Sequence, residues 1–247
     1  MKINILTLFP EMFAPVTELS LLGKAVEKGI LEFNIVNIRD FSQDKHNKAD
    51  DYPFGGGVGM VMFCDPSFRA IESMDIAENS PMLYMSPRGK MLDQEMITQL
   101  SEEGEITILC GHYEGVDQRV LDHFNMKEVS VGDYILTGGE LAAMVLIDAV
   151  SRFVPGVLGD SECATEESIY TGLLEYDQYT KPREYEGMMV PEVLFNGNHK
   201  LIHLWQFENS LVKTKEARPD LFQKYLESEK ELSKDEKKIL DKVLKME

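Results

Sequence analysis

Cysteine is scarce in this sequence, and the common nucleotide-binding and hydrolase signatures are missing. The three cysteines, Cys64, Cys110 and Cys163, lie far apart and form no CxxC pair. This pattern argues against a disulfide scaffold or a zinc ribbon and favours a reducing cytoplasm. No predicted strand is followed by GxGxxG, and neither GxxxxGK[ST] nor GxSxG occurs. The dinucleotide fingerprint, the P-loop and the serine-hydrolase elbow are therefore excluded.

Long apolar runs are also missing. The longest stretch without a formal charge, Tyr52–Cys64, has thirteen residues and is rich in glycine, so it is too short to cross a bilayer. The opening MKINILTLFP superficially resembles a signal peptide, but Pro10 and Glu11 end its apolar run and no small-residue cleavage site follows. We therefore interpret this segment as a buried first strand and expect no membrane partner.

Basic residues are few. Lysine and arginine number 25 against 43 aspartates and glutamates, which gives a net charge of −18. Because affinity for phosphate backbones comes mainly from lysine and arginine, this balance argues against a polyanionic partner. Residues 207–247, however, hold ten basic and ten acidic residues, so the first 206 residues carry the whole negative charge. The overall charge therefore still allows a local basic surface.

The length of 247 residues and the apolar content of 43% predict one or two domains with a sizeable core. Through about residue 155, strand patterns alternate with helix patterns. Strands are predicted over 3–8, 31–38, 82–85, 105–110 and 129–131, and helices over 9–29, 65–74, 93–103, 116–124 and 140–153. Such alternation predicts an α/β fold with a parallel sheet covered on both faces.

The character of the sequence changes after Pro155. Residues 156–192 hold nine acidic and two basic residues among scattered glycine and proline, and their weak periodicity favours a linker or an ordered functional loop. From Gly197 onward the pattern is helical, with helices predicted over 198–215, after Pro219 and after Ser233. We expect two domains joined by a long connector.

Three glycine-containing loops, 86–90, 111–115 and 132–140, follow predicted strands of the first domain. Ligands of parallel α/β sheets bind beyond the carboxyl ends of the strands, so these loops are expected to converge on one pocket. Elsewhere, His199 and His203 lie four apart on a predicted helix, but without a third ligand a surface or packing role is favoured over a metal site. Acidic residues of the connector, namely Glu162, Glu166 and Glu167, fit either a hard-metal site or a solvated loop, and composition does not choose between them.

Six segments carry more specific information. They are LFPEMF at 8–13, DDYPFGGGVGM at 50–60, SPRGK at 86–90, CGHYEGVDQRV at 110–120, SVGDYILTGGELAAMVLIDAVSRFVPGVLG at 130–159 and GNHKLIHLW at 197–205. Together they closely resemble the bacterial tRNA (guanine-N1)-methyltransferases of the trefoil-knotted (SPOUT) class. The resemblance implies a parallel α/β domain with a deep trefoil knot over 1–158, an interdomain linker over 159–170, and a helical C-terminal tRNA-binding domain over 171–247.

The resemblance also implies S-adenosyl-L-methionine as the methyl donor, held by the knot loops. The positions that match the donor-binding residues of the family are Tyr84, Met85, Ser86, Pro87, Gly111, Tyr113, Glu114, Val131, Gly132, Asp133, Tyr134, Ile135, Leu136, Gly138 and Gly139. Knotted methyltransferases do not use the dinucleotide fingerprint, which accounts for its absence. Mg²⁺ is a second cofactor that the resemblance implies, and no ligands for it can be assigned from the sequence.

The implied substrate is tRNA with guanosine at positions 36 and 37, methylated on N1 of guanosine 37. That nitrogen lies on the pairing edge and carries a proton, so the base must be turned out and the proton removed. Arg152 matches the guanine-contacting arginine of the family, and a helix-end cation is its alternative interpretation. Glu167 matches the proposed general base, an aspartate in the family, with Glu166 as the neighbouring alternative. Asp50 and His46 match substrate-handling positions.

The class further implies a cytoplasmic homodimer with its active site at the subunit interface. Two alternatives share part of the pattern. A knotted methyltransferase acting on a ribose hydroxyl would share the donor loops but lack the segment at 197–205. A catalytically silent RNA-binding protein would need neither Arg152 nor a carboxylate at position 167. Gln206 stands where the family often has arginine, and the loss of that cation is expected to lower the affinity for tRNA.

Overall fold

In the computed structural model, which describes residues 1–158, 172–228 and 231–246, the chain divides into two units, Met1–Ala164 and Thr165–Glu247. The strands of the first unit are β1 (Lys2–Thr7), β2 (Glu32–Asn37), β3 (Asp50–Asp51), β4 (Val61–Met62), β5 (Met82–Met91), β6 (Glu105–Cys110) and β7 (Lys127–Ser130). Five of them form an all-parallel sheet in the order β2-β1-β6-β5-β7, while β3 and β4 form a separate antiparallel pair. The prediction of a parallel α/β sheet is confirmed.

Helices cover both faces of this sheet. They are α1 (Ala14–Thr17), α2 (Ser20–Glu27), α3 (Cys64–Glu72), α4 (Gln94–Ser101), α5 (Gln118–His123) and α6 (Glu140–Ser151). Successive strand residues point to opposite faces, so Ile108 packs in one core with Leu146 of α6, while Leu109 packs in the other with Val120 of α5. The central strands are therefore apolar on both sides, as their continuous hydrophobic runs indicate.

Two local predictions need correction. The helix predicted through Gly29 is interrupted: a short 3₁₀ helix over Pro10–Phe13 precedes α1, and α2 begins at Ser20, whose φ is +59°. Strand β5 does not end at Met85 but continues to Met91. Met85 and Lys90 both pair with Val129, so the four residues between them leave the ladder and the strand then resumes. The predicted loop is an excursion within one strand.

Among its described residues, the second unit contains a 3₁₀ helix (Glu192–Phe195) and the α-helices α7 (His199–Ala217), α8 (Pro219–Glu227) and α9 (Lys234–Leu244). Ser233 caps α9 in a capping box: its hydroxyl accepts from the Glu236 N–H, and the Glu236 carboxylate accepts from the Ser233 N–H. The buried core comprises Leu173, Leu211, Phe222, Tyr225 and Val243. The sequence did not predict the hairpin of β8 (Glu184–Tyr185) and β9 (Met188–Met189). None of the described helices is long and apolar enough to span a membrane.

Candidate active site

A cavity of about 500 Å³ lies beside the excursion of β5 and at the carboxyl ends of β6 and β7. Residues 84–88, 111–116 and 134–139 line it, together with the last residues of β7. The three glycine-containing loops therefore converge, as expected for the ligand-binding edge of a parallel sheet. We call this cavity the donor cleft because the predicted donor-binding residues line it, with the exception of Asp133.

Glycine allows two walls of the donor cleft to meet backbone to backbone. The Gly139 N–H donates to the Gly111 carbonyl at 2.8 Å, and His112 pairs with Gly138 in an isolated antiparallel bridge. A Cβ at Gly139 would lie 2.9 Å from the Cα of Cys110, closer than side chains approach a backbone. The predicted donor-binding glycines therefore keep the two segments in direct contact, a use of glycine that requires no positive φ.

Beneath this contact lies a buried carboxylate that sequence reasoning missed. Glu140, the first residue of α6, is 1% exposed. Its Oε1 accepts from the Thr7 hydroxyl at 2.7 Å, and its Oε2 lies 2.7 Å from Nε2 of His112. A helix N-terminus favours a negative charge. Burial, and secondly the Glu140 charge, raise the pKa of the neighbouring Cys110 thiol well above its ordinary value.

Two tyrosines flank the donor cleft in different ways. Tyr84 is buried, and that burial raises the pKa of its phenol. Tyr113 is half exposed and has a φ of +59°, a left-handed conformation that is uncommon outside glycine. The Tyr113 hydroxyl accepts a hydrogen bond from the Arg39 guanidinium at 3.2 Å. The strained backbone at Tyr113 thus accompanies a side chain that is held at the mouth of the cleft.

A second cavity, of about 960 Å³, shares Val61, Val116 and Gln118 with the donor cleft. Its lining includes an ion pair between Lys48 and Asp51 at 3.2 Å. Tyr52 and Phe54, which also line it, are largely exposed. Aromatic rings beside a cation are typical of surfaces that stack nucleic-acid bases.

The predicted catalytic and substrate-binding residues that the structure describes lie outside the lining of the donor cleft. Asp50 lies in β3 opposite Met62, and the His46 N–H donates to the Asp44 carboxylate at 2.8 Å. Arg152 directly follows α6, and its N–H donates to the Asp148 carbonyl at 3.3 Å. None of these three predicted residues is part of the described lining of the donor cleft.

The predicted general base, Glu167, lies outside the described residues. The same is true of its alternative Glu166 and of Glu162. Among the residues that the structure does describe, no three His, Cys, Asp or Glu side chains cluster in a way that could hold a metal ion. His199 and His203 are both exposed on α7.

Comparison with known proteins adds an independent finding. Residues 1–224 match the family model described as tRNA (guanine-1)-methyltransferase TrmD. The chain is 51% identical over 226 residues to the tRNA (guanine-N(1)-)-methyltransferase of Ruminiclostridium cellulolyticum, which covers 91% of this chain and 97% of that protein. Identity to the enzyme of the same name from Clostridium perfringens is 51% over 240 residues, or 97% of this chain and 99% of the relative. The Staphylococcus epidermidis enzyme is 50% identical over 231 residues, 94% of each chain.

Proposed function

The chain belongs to the tRNA (guanine-1)-methyltransferase family, and we propose that its methyl donor is S-adenosylmethionine and its target is guanosine 37. The enzyme places the methyl group on N1 of guanine in tRNA. The family match over residues 1–224 is the single observation that carries this conclusion. The donor cleft supports it, because the predicted donor-binding residues other than Asp133 line that cavity. The choice of S-adenosylmethionine as donor and of position 37 as target rests on the resemblance of the sequence motifs to the family.

The donor cleft fits S-adenosylmethionine in size and in lining. Its volume of about 500 Å³ falls within the usual range of roughly 300–1,000 Å³ for small-molecule sites. Gly111, Gly138 and Gly139 line the cleft and leave room for Tyr84, His112 and the Cys110 backbone, which pack against them. Tyr113 and Glu114 supply polar groups at the same edge. When bound there, S-adenosylmethionine supplies an electrophilic methyl group.

Two side chains would act on the guanine. Neutral N1 is a poor nucleophile because a proton occupies it, so Glu167 would accept that proton as the methyl group moves. The cation of Arg152 would stabilise the negative charge that develops on O6 as N1 loses its proton. Asp50 and His46 would handle the substrate, and Asp51, the neighbour of Asp50, lines the second cavity beside the donor cleft.

We propose that the enzyme is a homodimer whose subunits complete each active site. Leu141 and Val145 lie four residues apart on one face of α6 and are 49% and 53% exposed. Ile135, in the donor-cleft loop, is 80% exposed. Apolar side chains in such positions are typical of a protein interface, and a second subunit would account for the position of Arg152 outside the described lining of the donor cleft.

The proposed fold of residues 1–158 includes a deep trefoil knot, an arrangement that is rare among proteins. Support comes from the family resemblance and from the backbone contact that holds Gly139 against Gly111. We propose that residues 159–170 are the interdomain linker and that 171–247 bind tRNA in the cytoplasm. Mg²⁺ stays a proposed cofactor without assigned ligands.

The decisive test is methyl transfer to a tRNA transcript with guanosine at positions 36 and 37. We expect a primer-extension stop at position 37, produced only when protein and S-adenosylmethionine are both present. A matched transcript with adenosine at position 37 is the control and should give no stop. Absence of the stop on the guanosine transcript, with protein that binds the donor, would overturn the proposed position.

A further inference from the structure

The pair formed by His112 and Glu140 connects three separate parts of the donor-cleft framework. Thr7 stands at the end of β1, His112 in the segment after β6, and Glu140 at the start of α6. Both polar contacts to the Glu140 carboxylate measure 2.7 Å. One carboxylate therefore joins pieces of chain that are 28 and 133 positions away from it in sequence.

The surroundings of the pair leave His112 little freedom. A Cβ at Gly138 would overlap Nε2 of His112 and would lie 2.5 Å from Oε2 of Glu140, so the backbone of that glycine rests directly on the pair. The Phe9 ring centroid lies 4.8 Å from that of His112. Gly138 lines the donor cleft, as does His112 itself. A shift of the imidazole would therefore move the wall of the cleft.

Burial makes both polar contacts important to Glu140. A carboxyl group at 1% exposure is costly to bury unless its oxygens have hydrogen-bond partners. Removal of the imidazole would leave Oε2 without its partner, and the carboxylate would have to turn or admit water. Either response acts on Gly138 and on the segment bonded to it, because these residues are in contact with the pair.

We propose that His112, held by Glu140, is a positioning residue that fixes the spacing of the donor-cleft walls. Its role is to keep residues 111–113 and 138–139 at the separation that the methyl donor requires, without touching the guanine. The inference rests on the proposed function, since it assigns this cleft to S-adenosylmethionine.

The test compares donor affinity with turnover in three variants. His112→Leu should raise the Kd for S-adenosylmethionine, measured by calorimetry, by about tenfold, because the cleft walls would no longer be held at the spacing that the donor requires. The single-turnover rate at saturating donor should fall by less than about threefold, because the reacting groups are unchanged. His112→Gln places an amide N–H near the position of Nε2 and should recover most of the affinity. Thr7→Val removes the other hydrogen bond to Glu140 and should weaken donor binding in the same direction.

A matched control separates positioning from general stability. Asn4, fully buried in β1, donates to the buried carboxylate of Glu105 at 2.6 Å, at the other end of the same sheet. Asn4→Leu should lower the unfolding midpoint as His112→Leu does, while the donor Kd stays within about twofold of wild type. Should His112→Leu fail to fold, Thr7→Val carries the same comparison.

The outcomes are distinct. Unchanged donor affinity in His112→Leu, or an equal loss in Asn4→Leu, would overturn the positioning role. Failure of the wild-type protein to bind S-adenosylmethionine would overturn the proposed donor, and with it the inference. Retained wild-type binding with a selective loss in the His112 and Thr7 variants is the expected result.

Discussion

The hydroxyl oxygen of Tyr84 occupies the space into which a side chain at Gly111 would project: a Cβ there would approach it to 2.6 Å. Tyr84 is 5% exposed and packed in the core, so it cannot swing away freely. Gly111 must therefore stay without a side chain for Tyr84 and the donor cleft to keep their geometry.

From this contact we predict that Gly111→Ala destabilises the first unit by about 1–3 kcal/mol, the usual cost of overpacking. Donor affinity should fall by at least about tenfold, because the displaced tyrosine lines the cleft. Chemical unfolding and calorimetric titration with S-adenosylmethionine measure the two effects. Gly104→Ala is the matched control: a Cβ there meets nothing within 4 Å, and both quantities should stay close to wild type.

The second prediction concerns the proton acceptor. Glu167→Gln removes the charge that would take the N1 proton, and general-base catalysis is worth roughly 10²–10⁴ in rate. We expect the single-turnover rate to fall at least about tenfold with little change in donor affinity, and Glu167→Asp to keep partial activity. Glu166→Gln is the control. If it abolishes methyl transfer while Glu167→Gln does not, the base is the neighbouring residue.

The third prediction concerns the proposed dimer. Val145→Glu places a charge on the exposed apolar face of α6 and should dissociate the protein into monomers, because an unpaired charge is costly to bury in an interface. Analytical ultracentrifugation measures the change, and loss of methyl transfer should accompany it. Leu244→Glu, at another exposed apolar position, should leave the sedimentation unaltered. A wild-type monomer with full activity would refute the proposal.

The fourth prediction concerns acid stability. Burial acts to raise the pKa of Glu105, but hydrogen bonds from Lys2, the Ala77 N–H and Asn4 outweigh it and leave that pKa below its ordinary value of 4.5. The unfolded chain therefore binds the proton more tightly. The stabilisation is present above pH 4.5 and is lost as the pH falls through the lower folded-state value.

Glu105→Gln should consequently lower the free energy of unfolding at neutral pH. The difference in free energy of unfolding between this variant and wild type should narrow as the pH falls below 4.5. Urea unfolding across the pH series measures this. Glu103→Gln, an exposed neighbour, is expected to change the free energy by less than about 0.5 kcal/mol. A constant difference between Glu105→Gln and wild type at every pH would contradict the assignment.

Local patterns in the sequence were sufficient for most strands and helices of the first unit. The predicted bounds of β6 agree with Glu105–Cys110, because its apolar run is bracketed by glycines at 104 and 111. The strand order could not be read in this way. Ile5 pairs with Ile108, and no local periodicity records which distant segment a strand will choose. The two-residue strands β8 and β9 are too short for any period to be detected.

The candidate site, too, could be predicted from the sequence only in part. The three glycine-containing loops could be placed at one edge of the sheet because parallel strands share their carboxyl ends. The pairing of His112 with Glu140 could not be predicted, because the two residues are 28 positions apart. One lies in the segment after β6 and the other begins α6. One signal was available: Glu140 is an acidic residue at the start of a largely apolar helix, where burial of its carboxylate would require a partner.

The excursion in β5 has a consequence for protein engineering. Because the strand leaves Val129 at Met85 and returns to the same residue at Lys90, the length of the intervening segment is decoupled from the alternation of side chains between the two faces of the sheet. A one-residue slip in an ordinary strand would reverse every side chain after it. Here a change in the length of residues 86–88 would leave the alternation of side chains after Gly89 unaltered, and Gly89, packed against the backbone of Glu128 and Val129, marks the fixed end of that segment.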